Sequence, residues 1–342
     1  MRVFLRPFAF PVIGILALFS VFFGFNIPSA TAHTAQARQI FAPYQDVTIS
    51  GTVLQSVLNK TRQHFYTLAF ITNGGGSCNA EWAGSIPFNQ TARLLPHLNS
   101  DIDAVRDAGG DVIISFGGAA GTELALTCQD PLSLQAQYQR VIDTYHASRL
   151  DFDIEGGTQG DVPSYTRRNI ALAALQRANP HLIISFTLPA ATTGLLDDSL
   201  GLLRNAKAEG VKFSIVNIMP FDFGPPETMM GQLAINSVNG FFQQLQQIFP
   251  DRSDRQIWSM IGVTLLIGQN DSPGEIFTEH DGHLVLAFAQ HHHLGFLSFW
   301  EVSRDNGTCP GNPSDQDTCS GLNQRSFAFL KLFHPFGEDE DI

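Results

Sequence analysis

The 342-residue chain is long enough for one large α/β barrel or for two ordinary domains. Hydrophobic residues make up 44% of it, including 28 phenylalanines, which excludes general disorder and supplies a large core. The formal net charge of −12 argues against nucleic acid or an anionic membrane as a partner, because both require a basic surface.

Residues 1–37 have the pattern of a signal peptide. Arg2 and Arg6 precede an almost wholly apolar run, and A-x-A cleavage patterns end at Ala32 and Ala37. The alternative is an uncleaved membrane anchor, because the apolar run is near the length that spans a bilayer.

Pro11 and the small residues that precede Arg38 favour cleavage of this segment. The sequence therefore predicts a secreted protein with no stable membrane association once the signal is removed. We expect one folded domain over 38–336, an acidic, solvated tail over 337–342, and a monomer.

Eight apolar runs predict eight β-strands in chain order. Most runs are continuous rather than alternating, which is typical of strands covered on both faces. They span residues 40–44, 65–72, 111–116, 149–155, 181–188, 213–219, 258–267 and 294–300.

Helical patterns separate these strands. Ser133 and Ser164 are predicted N-caps, and Gly109 and Gly210 are predicted helix stops. The patterns cover residues 99–108, 133–146, 164–179, 199–209, 234–248 and 283–292. Strand and helix alternating about eight times predict an α/β fold, a (β/α)₈ TIM barrel.

The fourth predicted strand carries three acids on one face, because its acidic and apolar residues alternate with the two-residue period of a strand. The acids are Asp151, Asp153 and Glu155, and the apolar residues are Leu150, Phe152 and Ile154. Carboxylates this close cannot all be ionised cheaply, so a proton is shared and some pKa values rise. A raised pKa on Glu155 makes a general acid. The alternative is an edge strand with a solvated acidic face; Gly156 and Gly157 favour a central strand that enters an active-site loop.

Four cysteines fit an oxidising destination. Cys309 and Cys319 enclose a polar loop without core residues, so we predict a disulfide there; Cys78 and Cys128 then pair by elimination. No cysteine or histidine spacing indicates zinc, and we predict no metal. Consecutive residues on a helix point in different directions, so the run 291–293 (His-His-His) is interpreted as a solvated helix end.

The predicted strand ends carry acids, amides and a large aromatic residue, without a basic cluster. They are Gly117-Gly118, Glu155, Asp222, Asn270-Asp271 and Trp300-Glu301. In a barrel the chemistry lies at these ends. An indole face stacks on a sugar ring and polar groups meet its hydroxyls, so this set favours a carbohydrate site over a phosphate site. Trp300 as an ordinary core residue is the alternative.

Four motifs on the predicted strands resemble glycoside hydrolase family 18, the chitinases and endo-β-N-acetylglucosaminidases. Ser115-Phe116-Gly117-Gly118 is similar to the family's S-x-G-G, and Leu150 to Glu155 to the second part of D-G-x-D-x-D-x-E. Met219-Pro220-Phe221-Asp222 stands at the place of M-x-Y-D, and Trp300 at that of the tryptophan ending the eighth strand. The resemblance covers nearly the whole chain after the signal, and 42–44 (Ala-Pro-Tyr) looks most like single-domain bacterial chitinases.

Two departures from the family pattern occur. Ser148 and Arg149 replace the first Asp and the Gly of the long signature. These positions lie at the far end of the strand from the reacting bond, so we expect changed packing rather than lost catalysis. Phe221 replaces the tyrosine of M-x-Y-D, so one hydrogen bond to the substrate's acetamido group is lost or supplied elsewhere.

The resemblance implies a substrate-assisted, retaining mechanism, one of the exceptions to the two-carboxylate rule. Glu155 would protonate the glycosidic oxygen while the sugar's N-acetyl carbonyl attacks the anomeric carbon. Asp153 would orient the acetamide and Asp151 would share and relay the proton. The substrate-binding residues implied are Asp222, Trp300, Met219, Phe221, Gly118 and Tyr44. No cofactor is required, and the expected partner is chitin or a chito-oligosaccharide.

Two alternatives stay open within this resemblance. A non-catalytic chitin-binding lectin on the same barrel typically lacks the catalytic Glu, which this chain keeps as Glu155. An endo-β-N-acetylglucosaminidase acting on N-glycans needs the same N-acetyl chemistry, and the strand ends do not separate it from a chitinase.

Overall fold

The computed structural model describes residues 39–49, 51–224, 226–311 and 317–337. The predicted signal peptide and all but the first residue of the predicted acidic tail lie outside these ranges. Among the helices of the described part, none combines the length and the apolar character needed to cross a membrane.

Eight parallel strands form the central barrel. In chain order they are β1 (Ile40–Phe41 and Tyr44–Asp46), β2 (Phe65–Asn73), β3 (Asp111–Gly117), β4 (Arg149–Asp153), β5 (Ile183–Ala191), β6 (Phe213–Met219), β7 (Ile261–Leu266) and β8 (Phe296–Trp300). Each strand pairs with its sequence neighbours in a parallel register. The predicted (β/α)₈ fold is confirmed.

The two halves of β1 close the ring. Ile40–Phe41 pairs with β8, whereas Tyr44–Asp46 pairs with β2. Pro43 separates the halves, because proline has no N–H to donate to the ladder and therefore interrupts regular pairing. Its carbonyl still accepts a hydrogen bond of 2.9 Å from the Thr67 amide. The interruption thus lets one short segment contact both of its neighbouring strands.

One helix of the outer ring follows each strand. These helices are α1 (Leu54–Thr61), α2 (Leu98–Asp107), α3 (Pro131–Tyr145), α4 (Val162–Ala178), α5 (Asp197–Ala208), α6 (Met230–Ile248), α7 (Glu279–His292) and α8 (Ala328–Phe333). Short helical segments at Thr91–Leu94, Leu124–Thr127 and Asp254–Trp258 lie in the connections between the barrel strands and the outer helices. The six predicted helices correspond to α2–α7, and α1 and α8 were not predicted.

The structure corrects the predicted N-caps. Asp130 caps α3 and Asp161 caps α4, each accepting a hydrogen bond from the amide of the serine three residues later. Ser133 and Ser164 therefore lie inside the first turn, where their amides donate to the capping carboxylates. Gly109 has a left-handed φ of +84° directly after α2, as its role as a stop predicts.

The start of the seventh strand was also predicted wrongly. Trp258 ends a short helix, and β7 begins only at Ile261. A reciprocal capping box between Ser253 and Gln256 starts that helix. The S-x-x-Q spacing is a sequence signal for a helix N-terminus that the apolar run obscured.

Both predicted disulfides are present. Cys78–Cys128 joins the loop after β2 to the loop after β3, and Cys309–Cys319 links two points of the segment that follows β8. Among the described residues, no group of three or more His, Cys, Asp or Glu side chains is arranged to hold a metal ion. The three histidines end α7; His292 packs on the Trp258 and Phe288 rings at 4.3 and 4.4 Å, so only its two neighbours are solvated as predicted.

The corrected cap position of α4 can be tested by substitution. Asp161→Ala should lower the free energy of unfolding by about 1 kcal/mol, the usual effect of losing an N-cap side chain. Asp161→Asn keeps a capping oxygen and should change it much less. Denaturant unfolding of the two variants measures this. An equal loss in both variants would contradict the assignment.

Candidate active site

Asp151 is buried in the barrel interior and is the most extensively hydrogen-bonded acid of the site. Its carboxylate accepts four hydrogen bonds of 2.7–2.9 Å from the hydroxyls of Tyr44, Ser115, Ser185 and Thr187. Burial raises the pKa of Asp151, and the four hydrogen bonds oppose that rise. The donors come from β1, β3 and β5, so neighbouring strands hold this acid in place.

The apolar residues of β4 point the other way, as the two-residue period predicts. The Phe152 ring stacks on Phe116 with centroids 5.2 Å apart and lies 5.1 Å from Tyr138 of α3. Because β4 pairs with β3 on one side and β5 on the other, it is a central strand and not an edge strand.

Asp153 lies on the same face of β4 as Asp151, one step nearer the mouth of the barrel. Burial, then the charges of Glu155 and Asp151, raise the pKa of Asp153 well above its usual range. It shares a hydrogen bond with the Glu155 carboxyl, and its Oδ1 has no hydrogen-bond partner among the described residues. Because two carboxylates this close repel each other in a buried site, the arrangement favours a proton held between them.

Glu155 lies just beyond the end of β4 and is partly exposed at the barrel mouth. Burial raises its pKa to about 7; the hydrogen bond with Asp153 opposes the rise, and the charges of Asp222 and Asp271 add to it. A carboxyl group with a pKa near neutrality can both give and take a proton at that pH. Glu155 therefore has the acidity that a general acid–base residue needs.

Two glycines at the end of β3 allow close packing around these acids. A Cβ on Gly117 would lie 1.9 Å from the backbone oxygen of Asp153, and one on Gly118 would lie 2.6 Å from the Phe70 ring. Both residues also have left-handed φ values of +99° and +83°. Glycine is therefore required at both positions.

Trp300 forms an aromatic platform at the end of β8. Its ring stacks on Phe70 with centroids 5.4 Å apart and an interplanar angle of 7°, and the Tyr44 ring lies 5.9 Å away. Trp300 remains partly exposed, unlike an ordinary core tryptophan such as Trp82. A partly exposed indole at the end of a barrel strand is a surface on which a sugar ring could stack.

The segment after Trp300 anchors the platform. The buried Glu301 carboxylate accepts a hydrogen bond of 2.6 Å from the Asp46 amide, and burial raises the pKa of Glu301 to about 8. Arg304, also buried, donates to the carbonyls of Ile267 and Gln269 in the loop after β7. The end of β1 and the loop after β7 are thus joined to the segment that follows Trp300.

The residues of the sixth-strand motif lie at the barrel mouth and differ in how deeply they are buried. Met219 is buried at the end of β6, and Phe221 is half-buried against the core. Asp222 adopts a left-handed backbone, and its Oδ1 accepts a hydrogen bond of 2.7 Å from the Ser272 amide. Of the predicted binding residues, Tyr44 lies deepest and contacts Asp151 instead of an open surface.

Several residues of the site were not singled out by the sequence patterns. Ser185, Thr187 and Asn217 form part of the interior network; the Asn217 amide donates to Thr187 Oγ1 at 3.0 Å. Each is a polar residue at an inward position of an otherwise apolar strand, and that alternation is the signal that could have found them. Phe70 carries no such signal, because its role depends on Trp300 and Gly118.

Comparison with curated proteins gives two similar sequences. The chain is 32% identical over 324 residues to a probable bifunctional chitinase/lysozyme of Escherichia coli (strain K12), covering 90% of this chain. It is 32% identical over 289 residues to Endochitinase 11 of Metarhizium anisopliae, covering 80% of this chain. The chain spans only 35% and 54% of the lengths of these relatives. No family model matches the sequence.

A solved structure covers the described domain almost end to end. The catalytic domain of a hyperthermophilic chitinase from Pyrococcus furiosus superposes with a TM-score of 0.78 at 35% identity, covering 88% of this chain and 97% of that one. Catalytic-site mutants of that protein, complexed with chito-oligosaccharides, give a TM-score of 0.79. The chain belongs to glycoside hydrolase family 18.

The departures from the family 18 signature lie where the sequence predicted. Ser148 and Arg149 are at the start of β4, at the opposite end of the strand from Glu155. The Ser148 hydroxyl donates a hydrogen bond of 2.7 Å to Asp111 at the start of β3. This contact is part of the packing at the lower end of the barrel.

The raised pKa of Glu155 predicts a pH-dependent stability. Because its folded-state pKa of about 7 exceeds the ordinary 4.5, its contribution is present below pH 4.5 and is lost as pH rises through about 7. Glu155→Gln removes this titration, so the variant should gain stability over the wild type at pH 8 relative to pH 4.5. Denaturant unfolding at both pH values measures this. Asp103→Asn, on the exposed side of α2, is the control, and an equal response of the two variants would contradict the raised pKa.

Proposed function

We propose that this chain is a secreted chitinase that hydrolyses β-1,4-linked N-acetylglucosamine polymers with retention of configuration and assistance from the substrate. The observation that carries the proposal is the line of three acids along and just beyond β4: Asp153 and Glu155 lie side by side above the hydrogen-bonded Asp151, and burial raises the pKa of both. Glu155 can then serve as the acid, Asp153 can orient the substrate, and Asp151 keeps a hydrogen-bonded carboxylate below them.

Glu155 supplies the proton for bond cleavage. It lies at the mouth, and its pKa of about 7 leaves a protonated fraction at neutral pH. The proton passes to the glycosidic oxygen as the bond from that oxygen to the anomeric carbon breaks. In the second step Glu155 accepts a proton from water while the water oxygen bonds to the same carbon, so the acid is regenerated.

The nucleophile is the acetamido carbonyl of the sugar. Its oxygen bonds to the anomeric carbon on the face opposite the leaving group, giving an oxazolinium ion that water then opens. Asp153 supports this step because its Oδ1, to which no described residue donates a hydrogen bond, can accept one from the acetamido N–H. A carboxylate there also balances the positive charge of the ion.

Asp222 and Trp300 complete the binding site. Asp222 is held by the Ser272 amide and lies close enough to Glu155 to raise its pKa, so it can reach the acetamido group or the attacking water. Trp300 supplies the floor of the sugar subsite, backed by Phe70. Phe221 has no hydroxyl to offer, which leaves Asp222 to hold that side of the substrate.

The choice of chitin as substrate rests on the relatives. The relatives that match most of this chain are named as chitinases, and one was complexed with chito-oligosaccharides. An endo-β-N-acetylglucosaminidase and a chitin-binding lectin remain the alternatives. Product analysis on chito-oligosaccharides and on a high-mannose glycopeptide, side by side, separates all three, because the lectin would cleave neither substrate.

Export of the protein is part of the proposal. The N-terminal segment has the charge, apolar run and A-x-A patterns of a signal peptide. Two disulfides and no free cysteine in the described domain fit an oxidising compartment.

The role of Glu155 can be tested by an isosteric change. Glu155→Gln removes the transferable proton and keeps the shape, so hydrolysis of chito-oligosaccharides should fall by roughly 10²–10⁴, the usual contribution of general acid–base catalysis. Binding, measured by calorimetry, should survive. Hydrolysis near the wild-type rate would refute the assignment.

Substrate assistance can be tested through the substrate itself. Cleavage should require an acetyl group on the sugar whose bond is broken, because a free amine cannot form an oxazoline. Mass spectrometry of products from partly deacetylated oligomers identifies that sugar, and a thiazoline analogue of the intermediate should inhibit. NMR should detect the β-anomer first. A covalent glycosyl ester trapped on Asp222 would overturn the mechanism.

A further inference from the structure

Glu275 is a buried acid for which the proposed mechanism has no use. It is 1% exposed and lies in a hairpin after β7, in which Gly268–Gln269 pairs antiparallel with Ile276–Phe277. A carboxylate removed from water is costly unless hydrogen bonds replace its hydration. Its Oε1 accepts a hydrogen bond of 2.9 Å from the Gly224 amide, which belongs to the loop after β6. The buried acid of the hairpin is thus directed at the backbone of the neighbouring loop.

The loop after β6 carries Asp222, and its backbone conformation there is unusual. Asp222 has a left-handed φ of +52°, and Gly224 has one of +103°. A left-handed conformation is unfavourable for a residue with a side chain and persists only where the surrounding structure holds it. The position of the Asp222 carboxylate therefore depends on contacts from outside its own loop.

The hairpin after β7 supplies such contacts at two points. The Ser272 amide donates a hydrogen bond of 2.7 Å to Asp222 Oδ1, and the Glu275 carboxylate accepts from Gly224. Within the hairpin, the Glu275 amide donates to the Ser272 carbonyl at 3.1 Å, so the two contacts are fixed relative to each other. Of the two, only the contact at Glu275 uses a side chain of the hairpin.

The two loops also touch through their backbones. A Cβ on Gly274 would lie 2.8 Å from the Cβ of Pro226, and Gly274 has a left-handed φ of +91°. Glycine at this position lets the hairpin approach the loop after β6 closely. The hydrogen bond at Glu275 is thus part of a packed contact and not an isolated surface bond.

The other side of the hairpin is fixed to the segment that follows Trp300. Arg304 donates to the carbonyl of Gln269 at 2.7 Å, and the Gln269 amide donates to the Ser320 carbonyl at 2.8 Å. The hairpin after β7 therefore connects the loop that carries Asp222 with the segment that follows the aromatic platform.

The hairpin also places charges around the general acid. The acids that act on Glu155 are Asp153, Asp222 and Asp271, and the charges of the last two add to the rise in its pKa. Asp271 directly precedes Ser272 in the hairpin, and the Ser272 amide holds Asp222. The position of the hairpin thus affects the acidity of Glu155 as well as the reach of Asp222 toward substrate.

We propose that Glu275 is a positioning residue for the hydrolysis: by holding the Gly224 amide, it keeps Asp222 in a fixed place at the barrel mouth. The inference rests on the proposed function and adds a residue that touches no substrate, since Glu275 is buried. Its effect passes through Asp222, which distinguishes it from a residue needed only for folding.

Three substitutions, each made with and without Asp222→Asn, test the role of Glu275. Glu275→Ala removes the acceptor for the Gly224 amide, whereas Glu275→Gln removes the charge and keeps an acceptor oxygen. Asp101→Ala is the matched control, because Asp101 is also a buried acid that accepts hydrogen bonds from backbone amides, here those at the start of α1. Circular dichroism checks the fold of every variant.

We expect Glu275→Ala to lower kcat/KM on a soluble chito-oligosaccharide roughly tenfold, because a misplacement of about 1 Å can cost up to about 10²-fold. Glu275→Gln and Asp101→Ala should stay within about twofold of the wild type. In the Asp222→Asn background, Glu275→Ala should change kcat/KM by less than about twofold, since residues that act as a unit are not additive.

The pKa of Glu155 gives a second readout. The charge of Asp222 raises this pKa, so displacement of Asp222 should lower it, and the alkaline limb of kcat/KM should move to lower pH. Glu275→Ala and Asp222→Asn should both show the shift, and Asp101→Ala should not. NMR titration of the Glu155 carboxyl carbon, assigned with Glu155→Gln, measures the same pKa without turnover.

Four results would overturn the inference. They are wild-type kcat/KM in Glu275→Ala, an additive loss in the Asp222→Asn background, equal effects of the Ala and Gln substitutions at Glu275, and an unchanged pKa of Glu155. If Glu275→Ala does not fold, Gly274→Ala displaces the same contact from the side of Pro226 and carries the same expectations. A wild type inactive on chito-oligosaccharides would contradict the proposed function instead, and the NMR titration would still test the positioning.

Discussion

The buried carboxylate of Asp151 is the constraint on which the rest of the site depends. A charge removed from water is costly unless hydrogen bonds replace its hydration. Here the replacement is four hydroxyl donors, and the Tyr44 hydroxyl comes from the strand whose two halves close the barrel. Closure of the ring and solvation of Asp151 therefore both require β1 to be in the same place. A barrel with β1 out of place would leave this acid short of a donor.

The proton on the Asp153–Glu155 pair follows from this arrangement. Asp151 accepts four hydrogen bonds, whereas among the described residues no hydroxyl donates to Asp153. Burial and two neighbouring acids raise the pKa of Asp153. The protonation state of lowest free energy is one in which Asp153 and Glu155 hold a proton between them. Asp151 in the barrel interior is thus solvated by hydroxyl groups, whereas Asp153 and Glu155 nearer the barrel mouth hold a proton. The difference arises from the number of donors within reach.

The sequence predicted what depends on local periodicity and failed where distant residues decide. The inward acids of β4 and the eight strands follow from a period of two and from continuous apolar runs. Helices α1 and α8 were missed because both are short and have no side-chain cap of their own; Asp101 accepts from the first amides of α1, and Asp305 from those of α8. No pattern within either helix encodes those contacts.

The Trp300 side of the barrel mouth is built as a fixed platform, and this bears on how a sugar ring would be held. Trp300 is backed by Phe70, and the segment that follows it is anchored through Glu301 to the end of β1 and through Arg304 to the loop after β7. A platform fixed in this way suits the distortion of one sugar, because any yielding of the floor would lower the strain imposed on the ring.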